Sequence, residues 1–369
     1  MIIKSIENKS VVWFEDSNEY LVIEPIVSEI LSCLKDNISK EEIHHIISNK
    51  IHIPDGELSK LIEDVSLLML PSEIYTDETI ASIEEPMEFL KSIFYQINQV
   101  VFRIDFASEY ELYLVHPKFA HLEIESSDVV QHHFKVYSNS NFISFLIDGE
   151  NVGIWSISEV HYFQGKFSMK IVELIHQKPE DKWLGVFHAS AISNGEEAML
   201  FLGDSGNGKS TSLALLQANK FTCLADDFVP VDTQSQEVYS FPSAISIKKN
   251  SLETLLPIYP ELETSAEYHF KRLHKIVRYL PPKNSDYTQH LPCKNLVFIK
   301  YIKDSELQCS KISNIQAFEQ LIPDSWLSPL KENASIFLDW FSNLNCYQLT
   351  YSNNQKMIAT VEKLFKNEL

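Results

Sequence analysis

The apolar positions change period along the chain, and the changes divide it. Over residues 11–23 they run as Val11-Val12-Trp13-Phe14 and then Tyr20-Leu21-Val22-Ile23, which predicts a hairpin. Beyond Glu24 the spacing becomes helical. One helix carries Ile26, Ile30, Leu31 and Leu34. A second starts behind Ser39, with Glu42 placed as its capping-box partner, and carries Ile43, Ile46 and Ile47. A third follows Pro54-Asp55-Gly56 and carries Leu58, Leu61, Ile62, Val65 and Leu68. Two strands followed by three helices make a small winged-helix-like α+β module over residues 1–75. Residues 71–85 are acidic and flanked by prolines, so a linker is expected, taken as 76–86. Over 87–182 short β-like segments dominate, among them 100–104, 111–115 and 142–147, with few helical stretches; this reads as an adapter sheet without chemistry of its own. Residues 183–369 turn to strand, glycine loop, helix and strand, the order of an α/β domain. Later, 297–299 and 345–351 read as strands, and 317–321, 336–341 and 356–365 as helices that pack on the sheet.

Charge narrows the function classes. Against 31 Lys and Arg stand 51 Asp and Glu, a formal charge of −20, which opposes attraction to nucleic acid or to an anionic membrane. No apolar run approaches the ~20 residues of a membrane helix, and the first ten residues lack the order of a signal peptide, so the cytosol is the expected compartment. The five cysteines, Cys33, Cys223, Cys293, Cys309 and Cys346, lie far apart without a CxxC pair, and are expected to be reduced and structural. His44-His45 and His132-His133 are adjacent pairs, the wrong spacing for a shared metal on one helix face.

Only nine glycines occur, and three of them, Gly203, Gly206 and Gly208, fall within six residues. A buried-strand run, Ala198-Met199-Leu200-Phe201-Leu202, leads into Gly203-Asp204-Ser205-Gly206-Asn207-Gly208-Lys209-Ser210-Thr211 and then a helical segment over 212–218. This fits G-x-x-x-x-G-K-[ST] in its strand–loop–helix context. Glycines let successive N–H groups turn inward, the helix N-terminus adds its positive end, Lys209 reaches the β/γ-phosphates and Ser210 offers a hydroxyl to Mg²⁺. The next apolar run, Phe221-Thr222-Cys223-Leu224-Ala225, ends at Asp226-Asp227, sixteen residues after Ser210. Carboxylates at a strand's carboxyl end can serve a metal or take the proton of an attacking hydroxyl. Adjacent strand side chains face opposite ways, so the two are expected to do different jobs. His188, in Phe187-His188-Ala189-Ser190-Ala191, lies on a strand expected to pair with 198–202.

Together His188-Ala189-Ser190-Ala191, the loop 203–211 and Leu224-Ala225-Asp226-Asp227-Phe228-Val229-Pro230-Val231 closely resemble the HPr kinase/phosphorylase-like Ser kinases, relatives of ATP-dependent phosphoenolpyruvate carboxykinase. Phe241-Pro242-Ser243-Ala244-Ile245-Ser246-Ile247-Lys248 and Arg278-Tyr279-Leu280-Pro281-Pro282 resemble segments that follow in the HPr-kinase-related branch. The resemblance spans about 85–365 and is specific in 186–248. It implies a P-loop kinase fold using ATP and Mg²⁺, with Lys209 and Ser210 on the nucleotide, Asp227 on the metal beside Ser210, Asp226 as general base, and His188 and Arg278 positioning phosphates. The Arg-rich signature of bifunctional members is missing, which argues against phosphorolysis and against HPr as substrate. Lys271, Arg272, Lys275 and Arg278 form the one basic patch.

Tyr20-Leu21-Val22-Ile23, Glu29-Ile30-Leu31, Ser39-Lys40-Glu41-Glu42-Ile43 and Ile62-Glu63-Asp64-Val65 resemble PqqD-type domains, which bind leader peptides as an added strand on a sheet edge. The implied whole is a γ-phosphoryl transfer to a hydroxyl, a Ser of a ribosomally made precursor peptide gripped by its leader. Two other readings fit the same residues: a kinase of a small molecule such as free serine, and a nucleotide-binding regulatory protein. Oligomeric state is left open, with a homo-oligomer among the options.

Overall fold

The computed structural model describes residues 1–70, 83–270 and 275–369. The expected linker and two members of the basic patch, Lys271 and Arg272, thus fall wholly or mostly outside the described residues. The chain is mixed α/β with several sheets and divides into two compact units, Met1–Asp77 with Ile312–Leu344, and Glu78–Lys311 with Asn345–Leu369.

The first unit opens with three antiparallel strands, Ile2–Ile6, Lys9–Phe14 and Glu19–Ile23, paired in chain order. The first of these was not expected. Its five residues mix apolar and polar positions too briefly to display a period, and the turn that pairs it carries Glu7 at φ 53° instead of a glycine. Three helices follow, Pro25–Lys35, Lys40–Ser48 and Asp55–Leu67. Ser39 caps the second, its hydroxyl accepting from Glu42 N–H at 3.2 Å. Val12, Ile30, Leu31, Ile43, Ile47, Leu58, Ile62 and Val65 close the core beneath the sheet.

Two later helices, Asn314–Leu321 and Lys331–Ser342, were expected on the larger sheet and belong instead to this unit. Tyr20 packs edge-on against Phe318 (6.0 Å between centroids) and Phe337 (5.5 Å), and Asn314 N–H donates to Glu7 at 2.8 Å. Helical periodicity shows which face of such a helix is apolar; it does not show what that face meets.

The second unit begins with a sheet ordered Glu123–Ile124, Lys91–Ile97, Val100–Phe106, His132–Ser138, Phe142–Ile147, Glu150–Ser156. Residues 111–115, read as a short β-like segment, lie in the helix Glu109–Phe119. Ser108 caps that helix by accepting from Tyr110 N–H, and the buried Glu111 carboxylate accepts from the hydroxyls of Ser108 and Ser138. The apolar run that follows Glu111 concealed a buried acid satisfied by tertiary partners. A second helix, Val160–His176, also went unforeseen; it sets Phe163 and Phe167 against Phe134 and Phe145.

The remaining sheet carries Thr222–Asp226, Ser190–Ser193, Ala198–Leu202, His290–Tyr301 and Asn345–Tyr351 side by side. Ser190–Ser193 runs antiparallel to both neighbours, whereas Ala198–Leu202, His290–Tyr301 and Asn345–Tyr351 are mutually parallel. Four strands therefore present their carboxyl ends to one edge, the place where such sheets hold ligands. A small sheet of Ile245–Lys248, Lys275–Leu280 and Tyr268–Phe270 stands beside it. The helix Glu109–Phe119 braces the segment that leads into Ile245–Lys248: Ala244 N–H donates to Lys118 O at 2.8 Å, and Phe119 meets Phe241 edge-on at 6.0 Å.

Candidate functional site

Ala198–Leu202 is entirely buried, and the chain leaves it through the glycine loop into the helix Lys209–Ala218. Gly203 sits at φ 130°, and a Cβ there would lie 2.9 Å from Ile299 O. Gly208 sits at φ 96°, where a Cβ would crowd the Tyr351 hydroxyl at 3.2 Å and Tyr301 Cβ at 3.3 Å. Both positions need glycine for conformation and for space. The helix N-cap is Gly208 itself, without a capping side chain, so the N–H groups of Lys209, Ser210 and Thr211 have no acceptor inside the helix. Those donors face the sheet's carboxyl edge, and the helix dipole adds positive potential there. Lys209, nearly buried, folds back so that its ammonium donates to Gly203 O.

Beside the loop lies a carboxylate held from several sides. In the strand register Asp226 stands directly opposite Ser190, whose hydroxyl donates to Asp226 Oδ1 at 2.6 Å. Ser210 Oγ reaches the same oxygen at 3.2 Å, while Ser246 N–H donates to Oδ2 at 3.0 Å. Asp226 is only 2% exposed. Burial, and then the adjacent Asp227 carboxylate, push its carboxyl up to about 6, against the downward pull of Ser190, Ser246 and Ser210. The strand ends at Asp226. Asp227 takes φ 63°, left-handed, and so leaves the pleat. Its Oδ1 lies 3.9 Å from His188 Nε2, and His188 is 41% exposed at the site's open side. His188 occupies a bend between Trp183–Phe187, which pairs with Val229–Asp232, and Ser190–Ser193; it is the latter strand that pairs with 198–202.

The structure thus brings together Gly203 through Thr211, Asp226, Asp227 and His188. Arg278 is turned elsewhere: its guanidinium donates to Leu262 O and to Glu263 O at 2.6 Å, and lies 3.6 Å from Glu267. In register Arg278 stands opposite Ile247, while its neighbour Tyr279 stands opposite Ser246, so the two side chains leave opposite faces. Tyr279 is the one on the carboxylate side, its phenol raised by burial first and by Asp227 next.

Sequence reasoning named Ser190, Ser246 and Lys248 only as parts of longer resemblances. Lys248 Nζ donates to Ser205 Oγ at 2.8 Å, a second ammonium on the loop. The available signal was alternation: Ser246 and Lys248 are two apart on one strand and share a face, with Ser246 opposite Tyr279. The five cysteines are free. Among the described residues no cluster of three His, Cys, Asp or Glu could hold a metal, and no helix is long and apolar enough to cross a membrane.

The donor set beside the loop is hydroxyl and carboxylate oxygen from Ser210 and Asp226. Mg²⁺ takes few protein ligands and fills the rest of its octahedron with water and phosphate oxygens, so these residues fit a Mg²⁺–nucleotide.

No protein-family profile matches the chain, and no curated protein does. Among solved structures the chain is similar to the HPr(Ser) kinase/phosphatase from Coxiella burnetii, at 8% identity and a TM-score of 0.22, over 49% of this chain and 94% of the other. At that score the likeness adds nothing to the geometry just described.

Proposed function

We propose that the protein is an ATP- and Mg²⁺-dependent kinase that transfers the γ-phosphoryl group to a hydroxyl. The observation that carries this reading is the joint placement of Ser210 and Asp226 at the mouth of the loop, with Asp227 turned out beside His188. A phosphate loop alone would serve binding; a loop with two carboxylates in different environments is equipped for transfer.

The contacts favour a division of labour opposite to the one implied by resemblance. Asp226, buried and sharing a bond with the Ser210 hydroxyl, is suited to the metal's side of the site. Asp227, more open and off the strand, is suited to accept the proton of the acceptor hydroxyl. Bound Mg²⁺ would offset negative charge on the transferring group. On the chain's side, Lys209 exchanges Gly203 O for phosphate oxygens, and the N–H groups at 209–211 orient the phosphate chain. As the acceptor oxygen bonds to phosphorus and the bond to the leaving diphosphate breaks, the hydroxyl proton passes to Asp227. His188 would steady that carboxylate or the transferring group.

The proposed acceptor is a Ser of a precursor peptide. Its support is the edge strand Glu19–Ile23 in the first unit, which pairs on one side only within its sheet and borders a cavity of about 460 Å³ lined by Tyr20, Leu21, Pro323 and Leu327. An extended leader can add to such an edge.

Intact-mass analysis of candidate precursor peptides, incubated with protein, ATP and Mg²⁺, tests the reading. A gain of phosphoryl groups that is lost in Lys209→Ala and Asp226→Asn, both still folded, is expected. Unchanged product in either variant would overturn the assignment. ATP turnover that responds only to small hydroxyl compounds would keep the kinase and replace the peptide.

A further inference from the structure

The loop has two sides along the sheet, and the carboxylates occupy one of them. Ser210 and Ser212 lie two residues apart on the helix, about 200° around its axis. Ser210 reaches Asp226, while Ser212 Oγ bonds the Tyr351 hydroxyl at 2.8 Å. The strand order agrees: Thr222–Asp226 lies to one side of Ala198–Leu202, and His290–Tyr301 and Asn345–Tyr351 lie to the other. If the metal and the terminal phosphates sit by Ser210 and Asp226, the nucleoside must leave the loop toward the second side.

That side carries an exposed aromatic ring where the others are buried. Tyr301 is 45% exposed and Ile302 42%, whereas Tyr351 is almost wholly buried. Backbone bonds fix the ring's position: Tyr301 N–H donates to Asn207 O at 2.9 Å, inside the loop, and Ile302 N–H donates to Tyr351 O at 2.9 Å. Tyr351 meets the ring edge-on, at 5.5 Å and 74°. The turn that follows is tied down by Ser352 Oγ, which donates to Ser305 O at 2.7 Å.

We propose that Tyr301, with Ile302 beside it, is the stacking platform for the purine base of the nucleotide whose phosphates lie on the loop. This rests on the phosphate-loop reading above and adds the site of the base. Stacking on one aromatic face is worth enough to be measured and tolerates any base, so the platform would serve ATP and GTP alike.

Calorimetry with the full chain and Mg²⁺ tests it, using ATP and inorganic tripolyphosphate as probes. Tyr301→Ala keeps the backbone bond to Asn207 and the Cβ beside Gly208. It is expected to weaken ATP about tenfold and to leave tripolyphosphate unchanged, while Tyr301→Phe keeps both affinities. Equal loss of both ligands in Tyr301→Ala would mean that the side chain only shapes the loop, and would overturn the platform, as would an unchanged ATP affinity. If the parent protein binds neither probe, the phosphate-loop reading falls and this proposal with it. If it binds tripolyphosphate as tightly as ATP, only the platform falls.

Discussion

At the scale of single residues, Asp226 is the group whose environment has the clearest consequence. Its folded pKa, about 6, lies above the ~3.9 of an unfolded Asp. Between those values the folded state holds a proton that the unfolded state has lost. Stability therefore falls as pH rises from about 4 to about 6, and the penalty persists above that window. Asp226→Asn can still accept from Ser246 N–H, and the hydroxyls of Ser190 and Ser210 can turn to meet its amide. Without added metal, the Asn variant should gain on the parent by roughly 1–3 kcal/mol at pH 8 and by less at pH 5. Denaturation midpoints at the two pH values measure this, and a pH-independent difference would contradict the burial argument. The sequence named this carboxylate because Asp226-Asp227 closes an apolar run soon after a glycine loop that fits a phosphate-loop pattern. It could not assign Ser190 or Ser246 as partners of that carboxylate, because what recruits them is strand register, fixed by which strands become neighbours.

At the scale of elements, the loop is held in shape because three neighbouring strand ends converge on it. Gly208 is where they press closest. In Gly208→Ala the new Cβ would meet Tyr351 and Tyr301 side chains while the backbone stays left-handed. A loss of stability of about 1–3 kcal/mol is expected, with nucleotide affinity down at least about tenfold. Gly149, also at positive φ but with open space around it, gives the control: Gly149→Ala should lose about 1 kcal/mol through its backbone and leave nucleotide affinity unchanged. Thermal melts and titration with a nucleotide separate the two effects, and equal affinities in both variants would remove the packing argument. The glycines, the strand before them and the helix after them were all legible, because each requirement is local. The helix Glu109–Phe119 was not. Its buried Glu111 is satisfied by Ser138 from a distant strand, and a satisfied buried acid looks in sequence like an exposed one.

At the scale of the whole molecule, the first unit is assembled from two stretches of chain, and this decides how a role for it can be tested. Removing the first 75 residues would strip Tyr20 from Phe318 and Phe337 and leave the apolar faces of Asn314–Leu321 and Lys331–Ser342 without cover. Such a truncation confuses loss of peptide binding with loss of folding. A substitution on the edge strand avoids this. Leu21 is 39% exposed on Glu19–Ile23 and is not among the residues packed in the core beneath the sheet, so Leu21→Asp alters the surface of the edge and spares that core. Under the leader-peptide reading an added strand would lie along this edge, and a carboxylate there would have to be desolvated. The expected outcome is a fall of about tenfold or more in kcat/KM for a full-length precursor, caused by a higher KM, with kcat and ATP affinity unchanged. A core peptide without its leader should be phosphorylated equally by the parent and by Leu21→Asp, because linkage raises only the local concentration of the acceptor. Equal kinetics of the two proteins on the full-length precursor would detach the edge strand from substrate recognition and leave the transfer chemistry proposed for Ser210, Asp226 and Asp227 to be judged on its own variants.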